Sequence, residues 1–131
     1  MADERDDTTS APAPHPPITF HLTPLAVWIA QRNSAVYKPE PFDREGFIHC
    51  TDGEKRALDV GNRYYTGDSR PYCLLEIARA RLTAPVVYED TEQVYPHIYG
   101  PLDTAAIRAV RTVERDDAGR FIRFGERVTT L

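Results

Sequence analysis

Four histidines punctuate this chain of 131 residues, and three of them sit where side-chain chemistry is commonly done. His49 lies in Gly46-Phe47-Ile48-His49-Cys50-Thr51, an apolar strand-like run that gives way at once to a helical pattern. His21 ends a second alternating run, Ile18-Thr19-Phe20-His21-Leu22, just before Thr23-Pro24 opens a helix. His97 belongs to Tyr95-Pro96-His97-Ile98-Tyr99-Gly100-Pro101-Leu102, where two prolines and a glycine forbid a long regular element. Histidine can act as acid, base, hydrogen-bond donor or metal ligand near neutral pH. Each could equally be a partly buried residue bonded to backbone, since buried polar groups are normally paired. Three such contexts in one small domain predict a shared cleft, with Tyr99 lining or rimming it.

The neighbours of these histidines limit the chemistry. Cys50 beside His49 suggests a thiol nucleophile, but adjacent strand residues point to opposite faces. His49 and Phe47 therefore share one side, Cys50 faces the core, and Glu45 can reach the same rim. His49, His97 and Glu89 could hold a catalytic metal, although no His-x-His or His-Glu-x-x-His spacing supports one. The chain has no Gly-rich phosphate loop, no Gly-x-Ser-x-Gly and no paired-cysteine motif. Glu89 and Glu92 offer a general base or a hydroxyl-binding carboxylate, and Arg63 offers a phosphate partner. The ordinary reading of each is a solvated surface charge.

These residues need elements to position them. Thr51 and Glu54 have the spacing of a capping box, and Ala57, Leu58, Gly61, Tyr64 and Tyr65 recur at helical spacing, predicting a helix over 52–65. A strand end feeding a helix gathers N–H groups and polar side chains into one crevice, a setting that suits anionic ligands. Leu25, Trp28, Ile29 and Arg32 predict another helix that ends near Asn33. Residues 35–44, with Pro39 and Pro41, read as a surface loop anchored by Tyr37 and Phe42. The run 72–78 is the strongest strand and reads as central, 86–89 as a short strand, and 95–102 as a constrained loop packed on the core. One helical turn at 103–106 precedes two strands, 107–114 and 121–128, joined by a hairpin turn at 116–119. Residues 1–17, acidic and then proline-rich, read as a disordered tail in which His15 is solvated, and 18–131 as a single globular domain.

Composition narrows the partners. A chain 41% hydrophobic and 27% charged is an ordinary soluble globular protein. A net charge of −4 gives no footprint for duplex nucleic acid or an anionic membrane, and no apolar run is long enough to span a bilayer. Cys50 and Cys73 lie in apolar settings, and no signal peptide is apparent. They read as buried, reduced thiols of a cytoplasmic protein.

Glu45 to Thr51, the downstream Asn62-Arg63-Tyr64-Tyr65, and Tyr95 to Leu102 together make the chain resemble the bacterial domain-of-unknown-function family 952, from about Ile18 to Val113. That family is similar to the ADP-ribosyltransferase superfamily. The resemblance implies an α+β fold with a split, mostly antiparallel sheet core, few helices, and NAD held as substrate in the central crevice. In that superfamily a histidine followed two residues later by Ser or Thr binds the nicotinamide ribose and amide, a form matched here by His21 and Thr23. A strand bearing an aromatic residue then stacks on nicotinamide, a place taken here by Phe47 or His49 and closed by Thr51. The third motif, a catalytic glutamate on a later strand, is replaced by His97 with Glu89 and Glu92 nearby. The implied site has His49, His97 and Glu89 as catalytic residues. Its ligand contacts are His21, Thr23, Phe47, Thr51, Arg63 and Tyr99, and its partner is a small-molecule nucleotide. Three functions stay open: an enzyme acting on NAD or on an ADP-ribosylated or phosphorylated nucleotide, a non-catalytic nucleotide-binding module, and a metal-dependent hydrolase. A carboxylate facing the crevice beside His21 and His49 separates the first from the second.

Overall fold

A computed structural model describes residues 15–128. Its first half contains β1 (Ile18–Pro24), α1 (Leu25–Ile29), β2 (Val36–Tyr37), α2 (Phe42–Glu45), β3 (Ile48–His49) and α3 (Glu54–Tyr64). Its second half is almost all strand: β4 (Tyr72–Ala78), β5 (Val86–Tyr88), β6 (Pro96–Ile98), β7 (Leu102–Asp103), β8 (Ile107–Arg115) and β9 (Phe121–Val128). Single 3-10 turns lie at Arg79–Arg81 and Thr104–Ala106. The fold is α+β, and every strand pairing in it is antiparallel.

The central sheet has the order β1-β4-β8-β9. Alternation along β4 sorts its side chains into two cores. Cys73, Leu75 and Ile77 pack with Trp28, Tyr37 and Ile48, while Tyr72 and Leu74 pack with Ala57, Phe121 and Phe124 beneath α3. Each fully buried side chain of this size contributes roughly 1.5–3 kcal/mol. Helix α3 sits close to β9 because Gly61 has no side chain: a Cβ there would lie 2.6 Å from the Phe121 ring. Asn62 fixes the same contact, donating to the Phe121 carbonyl at 2.9 Å and accepting from its N–H at 2.7 Å. Glu76 is the polar exception in β4, fully buried but held by Arg127 Nε at 3.0 Å, with Arg108 and Arg111 nearby.

On the other side of the central sheet lie two small sheets, β2-β7 and β3-β6-β5. Their registers set the exposed chemistry. Ile48 pairs with Ile98 and both are buried, so the next pair, His49 with His97, faces outward, and Val87 pairs with His97 from the far side.

Several sequence expectations change on contact with the tertiary structure. The helix starting after Pro24 stops at Ile29, because the Gln31 side chain reaches across to both backbone groups of Lys38 and bends the chain. The surface loop of 35–44 holds β2 and α2, with Tyr37 fully buried as its anchor. The loop of 95–102 is recruited by pairing into β6 and β7. The capping box does not form. Thr51 is held by two backbone hydrogen bonds to Phe20, and α3 starts after Gly53 with no side-chain cap. Of the expected tail, residues 1–14 lie outside the described residues, whereas the ring of His15 stacks on Tyr88 at 3.8 Å. Cys50 and Cys73 are buried and unbridged, and burial pushes the Cys73 thiol up to about 12. Among the described residues no helix is long and apolar enough to cross a membrane.

Candidate functional site

His21 is a core residue. It is 6% exposed, and both ring nitrogens have protein partners: Nδ1 lies 2.6 Å from the His49 carbonyl and Nε2 lies 3.1 Å from Tyr37 Oη. A carbonyl can only accept, so the proton of the neutral ring is on Nδ1 and Nε2 accepts. Tyr37 Oη then gives its proton to Nε2, and Thr23 Oγ1, 2.6 Å from Oη, completes the chain as donor. Burial pushes the His21 pKa down to about 4, so the ring stays neutral at physiological pH.

His49 and His97 have the opposite setting. Their rings meet edge to face at 5.0 Å on the outer side of the small sheet, and the Phe47 ring packs against both, 4.8 Å from His49 and 4.2 Å from His97. Tyr99 stacks on Phe47 at 5.4 Å and extends the strip. Each histidine is oriented by its own carboxylate. His49 Nε2 is 2.9 Å from Glu45 Oε1, and His97 Nδ1 is 2.9 Å from Glu89 Oε1. Tyr99 donates to that same Glu89 oxygen at 2.5 Å, and these bonds, Tyr99 first and then His97, hold Glu89 below the usual carboxylate range. With one nitrogen of each ring on a carboxylate, His49 Nδ1 and His97 Nε2 have no hydrogen-bond partner among the described residues.

His49 also lines a cleft of about 700 Å³. One wall is the second half of α3 and its end, with Asp59, Arg63, Tyr64 and Tyr65; the other is His49, Thr51 and Tyr95. Tyr64 is 66% exposed, so its ring is available to a ligand rather than spent on packing. The exposed Tyr64 ring, two further tyrosines in the lining, one guanidinium and one imidazole suit a flat aromatic ring that carries an anionic group.

The predicted site residues therefore divide. His49, Thr51 and Arg63 line the cleft. Phe47, His97, Tyr99 and Glu89 form the strip that continues from His49 over the sheet face. Glu89 acts there as a positioning group, because both its neighbours bond to one of its oxygens. His21 and Thr23 do not reach a shared cleft: they are 6% and 2% exposed and their polar atoms serve the core. Metal coordination loses its ligand set, because among the described residues no three His, Cys, Asp or Glu side chains are grouped to hold an ion. Sequence reasoning missed Asp59 and Tyr95 as cleft residues and assigned Tyr64 to the core stripe. The spacing of 59, 63 and 64 along one flank of a helix was the available signal.

Known structures share this arrangement of elements. The crystal structure of protein CC0527 from Caulobacter crescentus superposes with a TM-score of 0.68 at 18% identity, covering 80% of this chain and 93% of that one. Its solution NMR structure gives 0.62 at 19% identity, covering 79% and 90%. At such identities the likeness shows the fold alone. No curated protein matches the chain. Residues 22–110 match the family model described as "Protein of unknown function (DUF952)", and the chain belongs to that family.

Proposed function

We propose that the protein is a nucleotide-directed transferase, acting on NAD or on an ADP-ribosylated or phosphorylated nucleotide, with His49 as its proton carrier. One observation carries this reading. His49 is oriented by Glu45 through Nε2, keeps Nδ1 free, and lines the same cleft as Arg63 and three tyrosines. In a transfer from NAD, the C1′–N bond pair would leave with nicotinamide and an acceptor oxygen would bond to C1′. The acceptor's proton would go to His49 Nδ1, and the negative charge of Glu45 would stabilise the imidazolium that results. His97, Glu89 and Tyr99 extend the polar strip along which the acceptor would lie.

A carboxylate beside the cleft histidine favours an enzyme over a non-catalytic binding module, which would need only the stacking faces and Arg63. The reading keeps the NAD-type ligand of the ADP-ribosyltransferase resemblance but not its first motif, since His21 and Thr23 are buried here. Thermal unfolding with NAD, ADP-ribose or nucleotide phosphates at millimolar concentration tests it, together with chromatographic assay of nicotinamide or phosphate release. A ligand at a hundred times its Kd stabilises the native state by roughly 2.7 kcal/mol, readily seen as a rise in Tm. His49→Ala is expected to abolish turnover. No shift with any of these ligands removes the proposal, and a shift without turnover of any of them leaves the binding-module reading.

A further inference from the structure

The cleft wall carries two charged groups that have no partner among the described residues. Asp59 and Arg63 both line the cleft from α3 and both are exposed. A carboxylate and a guanidinium four residues apart on a helix ordinarily approach one another. Here neither makes a hydrogen bond or an ion pair, with the other or with any described residue. The contrast is with Arg111 and Arg115, which are tied to the Glu54 carboxylate and to backbone carbonyls. Asp59 and Arg63 thus stand at the cleft four residues, or about 6 Å, apart along the helix axis.

We infer that Asp59 and Arg63 make the cleft selective for one ribonucleotide unit, Asp59 accepting from the free 2′,3′-diol of the ribose and Arg63 holding a single 5′-phosphate. The inference rests on the nucleotide reading above. A carboxylate is acceptor-only and matches two adjacent hydroxyls, whereas a guanidinium forks onto phosphate oxygens. The two ends of a nucleotide's sugar, diol and 5′-phosphate, are separated on the scale of one helical turn. Charge limits the ligand further. The lining has one fixed cation and one fixed anion, so the cleft balances one phosphate, and the second phosphate of NAD or ADP-ribose would lie outside it. A 2′-phosphate would bring like charge onto Asp59. The tyrosines stack on any base and leave the sugar as the point of selection.

Isothermal titration with 5′-AMP, 2′-deoxy-5′-AMP and adenosine tests this. The wild-type protein should bind 5′-AMP at least tenfold more tightly than either of the others. Asp59→Ala should bring 5′-AMP and its deoxy form to equal affinity while adenosine remains the weaker ligand. Arg63→Gln should bring 5′-AMP down to adenosine while the deoxy penalty persists. Both side chains are exposed and have no partner among the described residues, so each variant should keep the wild-type Tm, which separates lost selection from lost fold. Equal wild-type affinity for 5′-AMP and its deoxy form, or binding of NAD without binding of 5′-AMP, overturns the inference and leaves the nucleotide reading standing. Failure of all three ligands, of NAD and of ADP-ribose overturns both.

Discussion

His21 and His49 are joined by one hydrogen bond, from the His21 ring to the His49 carbonyl, and they serve opposite ends. The His21 side chain is spent inside the molecule, where it satisfies that carbonyl and the Tyr37–Thr23 hydroxyl pair. The His49 side chain is 51% exposed and among the described residues hydrogen-bonds only the Glu45 carboxylate, so one ring nitrogen is left over. Two strand histidines, His21 in the middle of β1 rather than at its expected end and His49 at the end of β3, thus differ through what covers them. The small sheet is laid on the central one, burying His21 between them and turning His49 outward. The buried ring fixes the backbone of the exposed one, so the core histidine sets the position of the exposed histidine.

The largest way to break this division is to remove the buried ring. His21→Ala leaves a cavity and deprives two buried polar groups of partners, and a loss of about 3–5 kcal/mol is expected in urea unfolding. His49→Ala and His97→Ala should each change stability by less than about 1 kcal/mol, because both rings are at the surface. Equal costs for His21 and His49 would contradict the division.

Next in size is a pH effect that His21 contributes from the core. Its folded pKa is about 4 against an ordinary 6.5. Above pH 6.5 the ring is neutral in both states and its contribution is complete. Between 6.5 and 4 the unfolded chain takes up the proton first, so stability falls as pH falls, by up to about 3 kcal/mol from this group. Below 4 both states are protonated and the loss stops growing. Unfolding free energies measured from pH 7 to 4 should show this slope, and His21→Gln, which cannot titrate there, should flatten it.

The sequence showed the long, local parts of this arrangement well. Strand β4 and the β8–β9 hairpin were legible because alternation and the turn at 116–119 are written in neighbouring residues. Strands β3, β6 and β7 are two or three residues long and exist only because distant segments pair, which no local pattern reveals. The capping box failed for the same reason, as Phe20 claims Thr51 from thirty-one residues away. At the site, alternation correctly put Phe47 and His49 on one face and Cys50 in the core. The burial of His21 was not legible, because it depends on a sheet laid over it. The helical stripe also took in one residue too many: Tyr64 is exposed at the cleft, whereas Tyr65 packs on the core and borders the cleft as well.

A smaller effect sharpens the role of the carboxylates. Glu45→Gln and Glu89→Gln should each leave unfolding free energy within about 0.5 kcal/mol of wild type, since these are exposed pairs. Turnover should fall about a hundredfold or more for Glu45→Gln, which stops stabilising the charged His49 ring, and by less for Glu89→Gln, which lies outside the cleft. Equal losses for the two would place the chemistry on the sheet face rather than at the cleft.

The most direct measurement follows the histidine ring nitrogens by long-range ¹H–¹⁵N NMR while NAD or ADP-ribose is added. The signals of His49 should move with saturation, those of His97 should move less, and those of His21 should stay in place as a neutral ring protonated on Nδ1. Movement of His21 on binding, with His49 unchanged, would contradict the account by placing the ligand on the buried side of the small sheet.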